Sequence, residues 1–66
     1  MKRYFEVTFH WKSGNVYCVN LAHAESAADV RTRYEAKYDW VSVNEDDISE
    51  WRIMDAKRRG MPIVEI

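Results

Sequence analysis

Cys18 and His10 are the residues of this 66-residue chain whose types could support nucleophilic chemistry. A nucleophilic cysteine needs a base within hydrogen-bond reach and a third group that orients the base. In an antiparallel hairpin the two side chains would be diagonal neighbours, separated by about 7–8 Å. No carboxylate stands beside them in the sequence to complete such a set. The pattern predicts a surface cysteine near a surface histidine, and a Cys-dependent enzyme is the least favoured function.

Two runs of charge are candidates for ion binding, the acidic run NEDD at 44–47 and the basic run KRR at 57–59. The acidic run lacks the alternating ligands and the glycine of a calcium loop. Acids before a helix and bases at its end are what the helix dipole favours. Gly14 and Gly60 are too far apart for a phosphate-binding loop, and one Cys with two scattered His does not make a zinc spacing, so we expect no metal and no cofactor. The two runs instead predict a helix between them.

Length and composition limit the function further. The chain has 10 basic and 11 acidic residues, whereas nucleic-acid-binding domains usually carry a basic excess. A single cysteine excludes an internal disulfide, and no apolar stretch approaches the ~18–20 residues that span a bilayer. The N-terminal segment alternates in polarity instead of forming the apolar run of a signal peptide. We therefore expect one globular domain in the reducing cytoplasm, with no membrane contact.

The N-terminal third of the chain has the alternation of a β-hairpin, and the apolar residues indicate its register. A loop of two residues would place Phe9 opposite Cys18, whereas a loop of three residues, 12–14, places Phe9 opposite Tyr17. Only the second register puts the apolar residues of both strands on one face, because a slip of one residue turns every side chain over. The pattern therefore predicts the three-residue loop, with Gly14 in the left-handed conformation.

Two helices and two further strands are predicted after the hairpin. Ser26 is a candidate N-cap, and an apolar stripe at helical spacing follows it. Gly60 and Pro62 lie where the C-terminal cap and stop of a second helix belong, although a strand through Trp51 is an alternative there. The predicted elements are a hairpin at 3–22, a helix at 27–38, a strand at 40–44, a helix at 47–59 and a strand at 61–66.

This order predicts an α/β fold, a two-layer sandwich in which a mixed four-stranded sheet carries both helices on one face. Both crossovers should be right-handed. The other face is then uncovered, and it mixes apolar with hydrogen-bonding side chains as contact surfaces do. From the hairpin it presents Tyr4, Glu6, Thr8, His10, Val16, Cys18 and Asn20. The sequence therefore predicts a small non-catalytic interaction module that binds a protein partner, or a second copy of itself, through this face.

A nucleic-acid accessory factor is the alternative function. The contacts would come from the basic residues Lys2, Arg3, Lys57, Arg58 and Arg59. Such binding would weaken strongly as salt is added, because phosphate contacts release counterions. The salt dependence of partner binding therefore discriminates between the two functions.

The segments KYDWVSV (37–43) and AKRRGMPIVEI (56–66) resemble the C-terminal part of small proteins encoded on mobile elements and phages of Gram-positive gut bacteria. These proteins have no assigned activity, so the resemblance implies no catalytic or binding residue. It implies an accessory protein that is carried by such an element and acts on host machinery.

Overall fold

The computed structural model describes residues 1–14 and 16–66 and contains two helices and four strands there. In chain order the elements are β1 (Arg3–Trp11), β2 (Tyr17–Ala24), α1 (Ala27–Glu35), β3 (Tyr38–Asn44), α2 (Glu50–Arg58) and β4 (Ile63–Glu65). The strands form one mixed sheet in the order β3-β1-β2-β4, in which β1 is antiparallel to β2 and β3, and β4 is parallel to β2. The predicted fold class, a small domain with a mixed four-stranded sheet and two helices, is confirmed.

The main core lies between α1 and one face of the sheet, which we call the α1 face. Alternate residues of β1 point into it, and Phe5, Val7 and Phe9 are each at most 1% exposed. The Phe9 ring contacts α1 through Tyr34, whose ring lies 5.4 Å away, and it contacts β3 through Tyr38, whose ring lies 4.0 Å away. Burial of such rings is the main stabilisation available to so short a chain.

The second helix, α2, contacts the opposite face of the sheet, which we call the α2 face. Arg52 Nε lies 3.8 Å from Glu6 Oε2, and Lys57 Nζ lies 5.7 Å from the centre of the Tyr4 ring. Glu6 and Tyr4 alternate with the core phenylalanines along β1 and therefore point away from α1. Leu21, which lies opposite Glu6 on the same face, is fully buried. The placement of both helices on one face is therefore wrong, whereas the fold class holds.

The strand order gives the physical reason for helices on opposite faces. The chain crosses from β2 over β1 to β3 at one edge, and then returns across the whole sheet to β4 at the other edge. Because β2, β3 and β4 run in the same direction, both connections are parallel crossovers, which are right-handed in nearly all proteins. Two right-handed crossovers that travel in opposite directions place their helices on opposite faces.

The hairpin register is the one that the apolar pattern disfavoured. Phe9 lies opposite Cys18 and Glu6 opposite Leu21, a shift of one residue from the predicted pairing. The prediction assumed that all apolar side chains share one face. Because α2 contacts the second face, Leu21 can be buried there, and the small Ala22 faces α1 instead. A sheet with a helix on each face does not need a single apolar face.

The end of α2 follows the sequence signal. Gly60 has φ = 69°, a left-handed conformation that glycine adopts without strain. Its N–H donates to the Lys57 carbonyl at 3.1 Å, and the Met61 N–H donates to the Ala56 carbonyl at 3.0 Å. These two bonds form the Schellman motif that a glycine just beyond a helix predicts.

The connection between β1 and β2 differs from its prediction. Gly14 has no positive φ, so its predicted left-handed conformation is wrong. The Gly14 N–H donates to the Trp11 carbonyl at 3.3 Å and closes a turn directly after β1. The predicted three-residue loop is likewise excluded by the observed register, in which the last pair is His10 with Tyr17.

Helix α1 starts where the sequence places it and ends earlier. The Ser26 Oγ accepts a hydrogen bond from the Asp29 N–H at 3.2 Å, which confirms the predicted N-cap. The helix ends at Glu35, short of the predicted 38. Tyr38 instead pairs with Trp11 as the first residue of β3, because its ring is buried against the core from the sheet side.

Helix α2 starts at Glu50 and not at 47. Ser49 is the N-cap, and its Oγ accepts a hydrogen bond from the Arg52 N–H at 3.2 Å. Asp47 lies before the helix and pairs with Arg3 at 3.0 Å. The acidic run therefore ties the connection to the sheet, and only Glu50 meets the helix dipole in the first turn.

The C-terminal segment belongs to the sheet, within narrower bounds than the predicted 61–66. Strand β4 comprises Ile63–Glu65 and pairs with β2. The Ile66 N–H then donates to the His23 carbonyl at 3.0 Å. Val64 and Ile66 are partly buried against the main core.

Candidate interaction surface

The part of the α2 face near the hairpin connection is bare. The contacts of α2 fall on Tyr4 and Glu6, at the other end of β1. Beyond them, the rows that contain Thr8 and His10 carry exposed side chains on the neighbouring strands. We call the apolar and aromatic members of these rows the aromatic patch, which comprises His10, Tyr17, Val19 and Trp40.

The aromatic patch is a row of rings across three strands. His10 pairs with Tyr17 on β2 and with Trp40 on β3. The His10 and Tyr17 rings stack with their centroids 5.1 Å apart, and the Tyr17 and Trp40 rings meet edge-on at 6.1 Å. Tyr17 is nevertheless 67% exposed, Trp40 48% and Val19 43%. Cross-strand contacts therefore orient a large apolar surface that faces water.

His10 lies at the centre of this row, between the two larger rings. Its Nε2 atom is buried and has no hydrogen-bond partner within residues 1–14 and 16–66. Buried polar atoms without a partner are rare, because the lost hydration is not replaced. A partner group that displaced the covering rings would gain a hydrogen bond there.

Four of the residues predicted for the open face do share the α2 face. Tyr4 and Glu6 are contacted by α2 and are half-buried. Thr8 and His10 lie on the bare rows. The prediction therefore placed these four side chains of β1 on one face, as the structure does, and missed the helix that covers half of that face.

The other three predicted residues lie elsewhere. Cys18 and Asn20 point to the α1 face, because the register is shifted by one residue on β2. Val16 precedes β2 and is exposed. In their place the observed register brings Tyr17 and Val19 onto the α2 face. The predicted register put these two residues on the core face, so they were not predicted as contact residues.

Cys18 and His10 do not form a nucleophile and base. Cys18 pairs with Phe9, so its side chain points to the α1 face with the Phe9 ring. His10 follows Phe9 along β1, so its side chain points to the opposite face. The sheet therefore separates the thiol from the imidazole. No group of three His, Cys, Asp or Glu side chains in the described part of the chain could hold a metal ion.

Most of the basic groups proposed for nucleic-acid contact are engaged within the protein. Lys2 pairs with Glu65 at 3.4 Å, and Arg3 pairs with Asp47 at 3.0 Å. In the KRR run, Arg59 Nε lies 3.2 Å from a carboxylate oxygen of Asp55. The Lys57 ammonium lies over the Tyr4 ring. Each of these basic groups therefore has a different partner within the protein. Arg58 is the member of that set with no ion pair or ring contact in the described residues.

A small polar cluster lies at the other end of the α2 face. The Tyr4 ring stacks on His23 at 4.4 Å, and His23 Nδ1 lies 2.9 Å from Glu65 Oε2. The hydrogen bond with His23, aided by Lys2, lowers the pKa of Glu65 below its ordinary value of 4.5. This cluster ties β4 to β2 and β1.

Comparison with known proteins gives no match to a family model, to a curated protein or to a solved structure. Of the helices within residues 1–14 and 16–66, none is long and apolar enough to cross a membrane. The candidate site is therefore defined by its geometry alone: a largely aromatic surface, without lysine, arginine or carboxylate side chains, on the part of the α2 face that α2 does not contact.

Proposed function

We propose that the protein is a small non-catalytic interaction module that binds another protein chain through the aromatic patch. One observation carries the proposal: Tyr17 and Trp40 are fixed in orientation by ring contacts and yet remain largely exposed. Aromatic side chains dominate the energetics of protein interfaces because they bury much apolar area with few rotatable bonds. The patch has the composition expected for the centre of such an interface, with Thr8 and Ser42 as its polar neighbours.

The composition of the patch favours a protein over a nucleic acid. Its members carry no lysine or arginine, whereas proteins that stack bases combine the rings with a positively charged groove for the phosphates. The basic groups of the chain lie outside the patch, and five of them are held in ion pairs among the described residues. Nucleic-acid binding therefore remains an outcome of the test, which strong weakening by salt would reveal.

A second copy of the chain is the partner that we propose. Two-fold pairing is the commonest symmetry of soluble oligomers and places a surface against itself. A surface without net charge is not repelled by its own copy, and the patch meets that condition. The contact would need to extend to roughly 800 Å² on each copy to be stable, so the patch would be its centre and its neighbours the rim.

The biological setting is part of the same proposal. The likeness of the C-terminal half to small proteins of mobile elements and phages supports an accessory protein that acts in the cytoplasm of a bacterial host. An interaction module suits that setting, since such a protein would act by contact with other chains and not by chemistry of its own.

The test is the mass of the protein in solution, measured by light scattering over a range of concentrations. We expect the wild type to form a dimer, and we expect Tyr17→Lys with Val19→Glu to be monomeric while circular dichroism stays unchanged. Trp51→Lys is the matched control, because Trp51 is a 70% exposed ring on α2 outside the patch. A wild type that stays monomeric, or a control variant that dissociates equally, would contradict pairing through the patch.

A further inference from the structure

A cleft lies on the α1 face, beside the C-terminal end of α1 and above β2 and β4. It has a volume of about 310 Å³ and is lined by Asn20, Arg33, Tyr34, Lys37, Tyr38 and Val64. This volume is at the lower end of the ~300–1,000 Å³ that small-molecule sites span. Apolar and aromatic groups form one side, while the amide and the two cations supply polar contacts. The cleft lies on the face opposite the aromatic patch, so it is independent of the function proposed above.

The cations at the cleft have no carboxylate partner. Arg33 and Lys37 lack a carboxylate oxygen within 4.0 Å among the described residues. Five other basic side chains have one: Lys2, Arg3, Arg31, Arg52 and Arg59. The Lys37 ammonium is instead held 5.2 Å from the centre of the Trp11 ring. Two positive charges without a carboxylate partner among the described residues therefore stand at one small cleft.

The wall of the cleft contains an unsatisfied hydrogen-bond donor. Tyr34 is only 6% exposed, and its hydroxyl has no hydrogen-bond partner in the part of the chain that the structure describes. Burial raises the pKa of Tyr34, and the neighbouring Tyr38 raises it further, so the hydroxyl keeps its proton at neutral pH. Buried hydroxyls are nearly always paired. A buried donor without a partner, in the lining of a cleft that Arg33 and Lys37 also line, suits an acceptor of negative charge.

The helix dipole does not offset these charges. The C-terminal end of a helix carries about half a negative elementary charge, which by itself would disfavour an anion. At α1, however, the Ala36 carbonyl already accepts a hydrogen bond from Lys12 Nζ at 3.4 Å. The Tyr34 carbonyl likewise accepts one from the Lys37 N–H at 3.0 Å. Lys12 adds a third cation to Arg33 and Lys37 at this end, where the sequence also carries the acids Glu35 and Asp39.

We propose that this cleft binds a small organic oxyanion, a phosphate ester or carboxylate with an apolar body. Arg33 and Lys37 hold the anionic group, and Asn20 contributes amide hydrogen bonds. The apolar body lies against Val64 and the tyrosine rings. The Tyr34 hydroxyl donates to the anion once the ligand displaces the side chains that now cover it.

The test is a titration of the ¹⁵N-labelled protein with phenyl phosphate and, separately, with benzoate, inorganic phosphate and benzyl alcohol. We expect saturable shifts of the amide signals of Asn20, Tyr34 and Val64 with the two aromatic anions. Inorganic phosphate should bind more weakly and benzyl alcohol should cause no shifts. Equal affinity for inorganic phosphate and phenyl phosphate would contradict the claim that the ligand has an apolar body. The absence of saturable shifts would contradict the claim that the cleft binds an anion.

Two variants separate binding from folding. Arg33→Gln with Lys37→Gln should weaken phenyl phosphate about tenfold or more, because hydrogen bonds to charged groups are the strong ones. Arg58→Gln, which removes an exposed base at the far end of α2, should leave the affinity unchanged. Tyr34→Phe should melt no lower than the wild type, since its hydroxyl makes no bond in the free protein, yet it should bind the anion more weakly. A Tyr34→Phe protein with unchanged affinity, or an equal loss with Arg58→Gln, would overturn the assignment.

Discussion

The two faces of the sheet differ in how their helices cover them. On the α1 face, Phe5 and Phe9 are buried, and the Phe9 ring contacts Tyr34 on α1 and Tyr38 on β3. On the α2 face, Leu21 and Ala56 are buried, and α2 also contacts the sheet through an ion pair and a cation over a ring. The first face is an ordinary core. The second is a partial core that leaves half of its strands free, so the deepest burial lies on one side of the sheet and the exposed rings lie on the other.

The largest expected effect comes from emptying the α1 core. Phe9→Ala should cost about 3–5 kcal/mol, because it leaves a cavity that a packed core cannot fill. A domain of this size has only about 3–5 kcal/mol of stability, so the variant should be unfolded by circular dichroism. Trp40→Ala removes a larger ring from the bare rows and should still melt cooperatively. A Phe9→Ala protein that melts near the wild-type temperature would place the core elsewhere.

The next effect tests whether the α2 face is a partial core. Leu21→Ala should cost about 2–5 kcal/mol, since the side chain is fully buried. Val19→Ala lies on the same face two residues away and should cost less than about 1 kcal/mol, because Val19 is partly exposed. Urea denaturation of both variants measures the difference. Equal costs would mean that α2 covers the whole face or none of it.

These contrasts explain which features the sequence could predict. Local signals were sufficient for the Ser26 cap, the Gly60 cap and the order of elements, because each depends on residues a few positions apart. The hairpin register was not predictable in the same way. It depends on α2, which is distant in sequence and gives Leu21 a second place to be buried. The predicted contact face depended on that register, so it included Cys18 where the structure has Tyr17.

A smaller effect separates the two glycines. Gly60→Ala places a side chain at φ = 69° and should cost about 1 kcal/mol. Gly14→Ala should change stability by less than about 0.5 kcal/mol, because its φ is not positive and a Cβ atom there meets no atom within 4 Å. Thermal melting of the two variants side by side tests the point. A larger loss of stability in Gly14→Ala than in Gly60→Ala would favour the left-handed conformation that the sequence predicted for Gly14.

The smallest effect is a pH dependence at Glu65. Its folded-state pKa lies below 4.5, chiefly because of the hydrogen bond with His23. A lowered carboxyl pKa contributes stability that is present above 4.5 and is lost as the pH falls through the lowered pKa. At a pH above 4.5, Glu65→Gln should therefore melt at a lower temperature than the wild type. At a pH below the lowered pKa, the two proteins should melt at the same temperature. A constant difference at every pH would show that the carboxylate charge is not what stabilises the cluster.

The central claim is that the bare half of the α2 face is where the protein meets its partner. The most direct measurement follows the ¹⁵N–¹H spectrum of the wild-type protein as its concentration is raised. We expect the amide signals of Tyr17, Val19 and Trp40 to shift or broaden, while those of Phe5 and Val30 on the α1 side stay fixed. Shifts confined to the α2 surface around Trp51 and Met54, or a spectrum that does not change at any concentration, would contradict the account.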